Sequence, residues 1–342
     1  MQAVMVDAFL LPGAGCVLRV PFSGCRAAEQ LLTFAFRECC RNASASTAAA
    51  DAVASSLAGA ATTQHVGSAK SRSAALQLRS LSANFIQSAA VLQPLASCST
   101  LTNLHLVEVP CRAVTGPFCS ALGTLRSLKR LHFSTALPTT LEEPTSLPRC
   151  FASAVQHLQQ LTQLQVLQCK VPQAVLPLLP AKLEVLILAV AHEAEPPAVL
   201  DLQQLHNLQE LHIDVPGGVA QGSMLPAATT SLSLLGPAEA LEGLPNLRRL
   251  SLHRPAGCMP MLRSLAARSS VQQLAVGLWA CPVAQMPQVF DSLSAATQLT
   301  ALQLYQQHMD GDVDAIPLPL GGLQLHKYLS KLRALQDLQV SG

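Results

Sequence analysis

Charge is scarce in this 342-residue chain. Asp, Glu, Lys and Arg together make 12% of it, about half the share of an ordinary globular domain. The net charge of +2 builds no strong field, so neither nucleic acid nor an anionic membrane is expected as a partner. Aromatic residues are equally thin at 4%, with one Trp and two Tyr, against 50% hydrophobic residues overall. Any core must therefore be aliphatic. Nowhere do 18 apolar residues run together, which argues against a membrane-spanning helix. The apolar N-terminus is interrupted by Asp7, Pro12 and Arg19 and lacks the basic start of a signal peptide. Residues 1–75 hold few acids and much Ala and Ser, which leaves an organelle transit peptide open.

Catalytic signatures are missing too. No phosphate-binding G-x-x-x-x-G-K-[ST] occurs, and neither a kinase motif set nor a G-x-S-x-G elbow is present. A non-enzyme is expected, with no catalytic residue, no cofactor, no metal and no small-molecule substrate. Asp310-Gly-Asp312-Val-Asp314 opens like a calcium loop. Its sixth and twelfth positions, however, are Ala315 and Gly321, where Gly and Glu are required, so a solvated acidic loop is expected. The 11 cysteines are odd in number and contain no C-x-x-C, which fits reduced thiols in a cytosolic protein. Asn42-Ala-Ser44 is a glycosylation sequon only in a secreted chain, and is read as chance.

What the chain does have is a repeat. Leu244-Pro-Asn-Leu247-Arg-Arg-Leu250-Ser-Leu252 reads L-x-x-L-x-x-L-x-L. Four further good copies are Leu125/Leu128/Leu131/Phe133, Leu161/Leu164/Leu167/Cys169, Leu205/Leu208/Leu211/Ile213 and Leu332/Leu335/Leu338/Val340. Looser ones end in Leu76/Leu78, Leu104/Leu106, Leu186/Leu188, Leu232/Leu234, Leu274/Val276 and Leu302/Leu304. Successive copies are 18 to 36 residues apart. The final L-x-L alternates as in a short strand, with both leucines inward. The earlier leucines follow a turn or helix spacing into the same interior. One such unit cannot bury its apolar face alone, so neighbours must stack.

Over about four-fifths of its length the sequence resembles the leucine-rich-repeat family. The family usually carries Asn or Cys three residues past the last strand leucine. Here those positions hold Leu81, Val109, Ala136, Pro172, Ala191, Pro216, Pro237, Pro255, Trp279 and Gln307. Lacking that Asn ladder, and with uneven spacing, the chain is closest to irregular plant- and algal-type repeats. The resemblance implies an α/β solenoid, with a parallel concave sheet of about eleven short strands and a convex side of short helices and turns. The expected organisation is an N-terminal cap at 1–42 with a helix near 25–41, an Ala/Ser-rich linker at 43–70, and the solenoid from 71 to 342. Residues 116–125, 151–161 and 259–267 are expected as convex helices or turns; in the second, Phe151, Val155, Leu158 and Leu161 share one stripe. No closing cap follows Val340, so either the chain is a fragment or another surface covers its end.

The family usually binds proteins on the exposed strand positions. Alternation places Asn103/His105/Val107, Arg130/His132/Ser134, Val166/Gln168/Lys170, Val185/Ile187/Ala189, Glu210/His212/Asp214, Ser231/Ser233/Leu235, Arg249/Ser251/His253, Gln273/Ala275/Gly277 and Ala301/Gln303/Tyr305 outward. His105 and His132, on neighbouring strands, are expected within about 5 Å. The candidate protein-binding residues are Arg130, His132, Lys170, Val185, Ile187, Glu210, His212, Asp214, Arg249, His253 and Tyr305. Val185/Ile187/Ala189 is wholly apolar with charges on either side, the anatomy of a protein-binding patch. The leading expectation is a non-catalytic, cytoplasmic interaction scaffold with a protein partner on the concave sheet. One alternative is the substrate-recognition subunit of a ubiquitin-ligase complex, which needs a docking element within residues 1–42. The other is a structural component of an assembly such as the ciliary axoneme.

Overall fold

The computed structural model describes residues 7–11, 14–20, 78–84, 86, 89, 92–136, 146–169, 171–189, 199–214, 218–220, 222–234, 244–253, 259–265, 270–278, 281, 283–305 and 325–341. The helix expected near 25–41, the 43–70 linker and Asp310/Asp312/Asp314 lie outside these residues. So does Lys170.

The chain divides into two compact units, the first covering residues 1–144 and 150–161, the second 145–149 and 162–342. In the first unit the strands run in chain order. They are β1 (Asp7–Leu11), β2 (Ala14–Val20), β3 (Leu78–Asn84), β4 (Asn103–Val109) and β5 (Arg130–Thr135). β1 and β2 form an antiparallel pair, and β2 to β5 are parallel neighbours. In the second unit eight strands, all parallel, again follow chain order. They are β6 (Gln163–Leu167), β7 (Val185–Ala189), β8 (Glu210–Asp214), β9 (Ser231–Leu234), β10 (Arg249–Leu252), β11 (Gln273–Gly277), β12 (Ala301–Tyr305) and β13 (Asp337–Ser341). The eleven expected strands are thus β3 to β13. The β1–β2 pair was not expected, although Pro12-Gly13 between two apolar runs is a turn signal.

Between strands the chain makes short helices and 3₁₀ turns. The helices described are α1 (Gly116–Gly123), α2 (Arg149–Gln156), α3 (Met259–Ser264), α4 (Met286–Ser294) and α5 (Leu325–Leu329). α1 and α4 each carry Pro in the first turn, where its missing N–H costs nothing. In the segment 151–161 the helix stops at Gln156, yet Phe151, Val155, Leu158 and Leu161 are all buried. The stripe was right and its helical extent too long.

The core is a set of leucine columns. Leu104, Leu131, Leu186, Leu211, Leu232, Leu250, Leu274 and Leu302 are each at most 2% exposed. Their neighbours three residues earlier (Leu101, Leu128, Leu183, Leu208, Leu247, Val271 and Leu299) are equally buried. The exception in that second column is Thr229. It is fully buried and its hydroxyl finds no partner.

Two copies sit in a different frame from the one expected. In β3 the inward residues are Leu81 and Ala83, both fully buried, and Leu81 pairs with Leu104; Leu76/Leu78 was the wrong pair. In β6 they are Leu164 and Val166, with Leu164 opposite Leu186. Leucines continue every three residues from 158 to 167, so the motif fits in either of two frames, and only burial separates them. Val166 faces in, and Gln163, Gln165 and Leu167 take the outward positions. Cys169 is still buried because Gln168 before it is left-handed, with φ of 61°. Glu108 does the same with φ of 54°. The register slips there between Leu106 and Val109, which sends Val109 rather than the glutamate inward.

No Asn ladder follows the strands, but two other devices tie repeats together. Just before most strands one carbonyl accepts two successive N–H groups from the next repeat. In the second unit these acceptors are Thr162, Glu184, Gln209, Thr230, Arg248, Gln272 and Thr300. Four residues before the inward leucine, a polar side chain reaches back to a carbonyl of the preceding repeat. These bonds are Ser127 Oγ to Leu101 (2.9 Å), Asn207 Nδ2 to Ala181 (3.2 Å), Asn246 Nδ2 to Ala227 (3.0 Å) and Gln298 Nε2 to Leu265 (2.9 Å).

Candidate functional site

Parallel pairing without slippage turns the outward residues of the second unit into straight rows. One row is Gln163, Val185, Glu210, Ser231, Arg249, Gln273, Ala301 and Asp337. The next is Gln165, Ile187, His212, Ser233, Ser251, Ala275, Gln303 and Gln339. Beyond them lie Leu167, Ala189 and Asp214 in register, and further along Gly277 with Tyr305.

Two kinds of surface follow. At β6–β8, Val185, Ile187, Ala189 and Leu167 are partly exposed and lie side by side. Glu210, His212 and Asp214 stand directly opposite Val185, Ile187 and Ala189. On the other side Gln163, Gln165 and Leu167 pair with Val185, Ile187 and Ala189; Lys170, the flank expected there, lies outside the described residues.

Farther along, a groove of about 480 Å³ opens over β8–β13; His212, Ser233, Arg249, His253, Gln303 and Asp337 are among its lining residues. At its wall a side-chain network links three strands. Ser233 Oγ is 3.0 Å from His253 Nε2, and Tyr305 Oη is 2.6 Å from His253 Nδ1. A neutral imidazole has one N–H and one lone pair, so one hydroxyl donates to the ring and the other accepts from it. Burial holds the His253 pKa below its ordinary value of 6.5, and nearby His212 pushes the same way. Burial raises the Tyr305 phenol above its ordinary 10, partly offset by a hydrogen bond with Ser251. Both shifts favour uncharged groups. Ser233 is only 8% exposed, so its hydroxyl is committed to the ring rather than to the groove. The arrangement presents neutral donors and acceptors, a cationic Arg249 and an anionic Asp337.

Gly277 makes this network possible. A Cβ there would sit 3.0 Å from both the His253 carbonyl and the Tyr305 ring.

In the first unit His105 and His132 are neighbours, with ring centroids 3.8 Å apart and nearly perpendicular. Ser82 Oγ lies 3.3 Å from His105 Nδ1. Arg130 is exposed beside them, whereas Ser134 is 5% exposed and does not face outward as expected. Among the described residues no group of three or more His, Cys, Asp or Glu is placed to hold a metal.

Arg249, His212 and His253 of the expected residues therefore meet at one groove, with Tyr305 bonded to His253. Val185, Ile187, Glu210 and Asp214 form the adjacent patch. Arg130 and His132 belong to the other unit. Alternation marked Ser233, Ser251 and Gly277 as outward positions without numbering them among the binding residues; only the register sets them beside His253 and Tyr305.

No protein-family model matches the chain, and no curated protein matches it significantly. What stands is the class: α/β, with successive parallel strands in chain order, as in a repeat solenoid. No helix among the described residues is long and apolar enough to cross a membrane.

Proposed function

We propose that the chain is a leucine-rich-repeat solenoid of the irregular plant and algal type, and that it acts without catalysis as a cytoplasmic interaction scaffold. Its partner is a protein, held on the outward face of the sheet in the second unit. The observation that carries this reading is the continuity of the β6–β8 apolar patch with the β8–β13 groove through one set of register-matched rows. Leu167, Val185, Ile187 and Ala189 supply the apolar centre. Glu210, Asp214 and Arg249 supply charge, and His212, Ser251 and Gln303 supply uncharged hydrogen-bonding groups. Buried apolar contact beside a polar margin is how protein interfaces are built. The low overall charge fits a partner recognised by shape and hydrogen bonding rather than by long-range attraction.

The test is affinity capture from native lysate with the wild-type chain beside an Ile187→Lys, Glu210→Lys, Arg249→Glu variant of matching circular dichroism. Loss of a wild-type partner in the variant supports the sheet face. The same partner on both chains rejects it.

A further inference from the structure

The first unit holds a pair of thiols that the proposed scaffold role does not use. Cys119 of α1 and Cys150 of α2 bring their Sγ atoms to 2.9 Å. The two helices run so that each repeats the contact one turn later. Gly123, four residues after Cys119, would place a Cβ 3.4 Å from the Cα of Ala154, four residues after Cys150. At Gly123 and Ala154 the helices are therefore in close backbone contact, one turn from the touching sulfurs. Both are reduced thiols, and they hydrogen-bond to each other.

The two thiols are not equivalent. Cys119 is 3% exposed, and burial together with the neighbouring Cys150 pushes its pKa far up. Cys150 is partly exposed. Both line a cavity of about 520 Å³ whose walls also carry Ser120, Arg126, Ser153 and His157. His157 donates its Nδ1–H to the Ser153 carbonyl at 2.6 Å, since a carbonyl only accepts. The cavity therefore offers a guanidinium, hydroxyls and an imidazole edge around a partly exposed sulfur.

We propose that Cys119 and Cys150 form a redox-active dithiol that reacts with a low-molecular-weight, carboxylate-bearing disulfide, for which oxidised glutathione is the test compound. The Cys150 thiolate attacks one sulfur of the disulfide. That S–S bond breaks, one glutathione leaves as thiolate and takes up the proton lost by Cys150, and a mixed disulfide remains on Cys150. Cys119 then loses its proton and attacks Cys150 Sγ; the second glutathione leaves and is protonated. Two protein thiols are oxidised to one disulfide, and one glutathione disulfide is reduced to two thiols. The order follows accessibility: the exposed sulfur meets the reagent and the buried one resolves it. The product cross-links α1 to α2 across 31 residues of sequence.

The experiment equilibrates the full chain in glutathione buffers of rising oxidised fraction, quenches with acid, alkylates under denaturing conditions and maps peptides by mass. The expected result is one linkage, Cys119 to Cys150, with both sites losing alkylation together and the melting temperature rising on oxidation. In Cys119→Ser the mixed disulfide accumulates on Cys150; in Cys150→Ser, Cys119 stays reduced. Wild-type Cys119 and Cys150 remaining separate thiols under the most oxidising buffer overturns the proposal, as does either one pairing with a different cysteine. Equal glutathionylation of Cys119 in Cys150→Ser overturns the order of attack. The wild-type arm stands whether or not either variant folds.

Discussion

Tyr305 Oη and His253 Nδ1 lie 2.6 Å apart across 52 residues of sequence, with β11 passing between the strands that carry them. The bond joins the last turn of one repeat to the strand two repeats on. It holds the imidazole against Ser233, neutral and fixed at the wall of the groove. Tyr305→Phe keeps the ring and removes the bond. Such a loss costs about 0.5–1.5 kcal/mol, to be read from chemical denaturation, with a wider range of His253 ring orientations in NMR spectra.

His253 also makes stability depend on pH. Its folded pKa lies below the ordinary 6.5 because burial penalises the charged ring. Below 6.5 the unfolded chain binds the proton first, so the contribution of His253 is complete above 6.5 and is lost as pH falls through the lowered folded value. Denaturation midpoints at about pH 7.5 and about pH 5.5 should differ more in the wild type than in His253→Gln. Equal differences would mean that His253 titrates like a solvated imidazole.

Gly277→Ala should disturb this network from behind. The added methyl meets the His253 carbonyl and the Tyr305 ring at 3.0 Å. Overpacking of this kind costs about 1–3 kcal/mol. Because the tyrosine must move, Gly277→Ala combined with Tyr305→Phe should cost less than the sum of the two alone. Strict additivity in that double-mutant cycle would show that the glycine serves another purpose.

Thr229→Val is expected to stabilise the protein. Thr229 fills a slot that is leucine in most repeats, and its buried hydroxyl has no partner. Replacing an unsatisfied buried hydroxyl by a methyl of similar size should gain about 1 kcal/mol. A lower melting temperature for the variant would contradict the burial of that side chain.

Much of this fold was legible because leucine burial and strand alternation are local. The period of Leu205/Leu208/Leu211/Ile213 is enough to mark a strand and its inward face. It failed where the period was degenerate, as in the leucines from 158 to 167, whose frame is decided by which residues their neighbours bury. The tie between repeats was missed because it was sought after the strand, where the family carries Asn. Here Asn207 and Asn246 do that work before the strand, and an exposed polar residue there looks like any other. In the site, the charged and aromatic members were visible one by one. The bonds that join them depend on register, which no single repeat encodes.

Binding of the partner on the outward sheet face is tested by site-directed photo-crosslinking of the bound complex, with the crosslinking amino acid in place of Gln303 on β12 or of Gln288 on α4, both exposed. The captured protein is expected to cross-link through position 303 and not through 288. A crosslink through 288 alone, with 303 silent in a complex that still forms, would place binding on the helical side and contradict it.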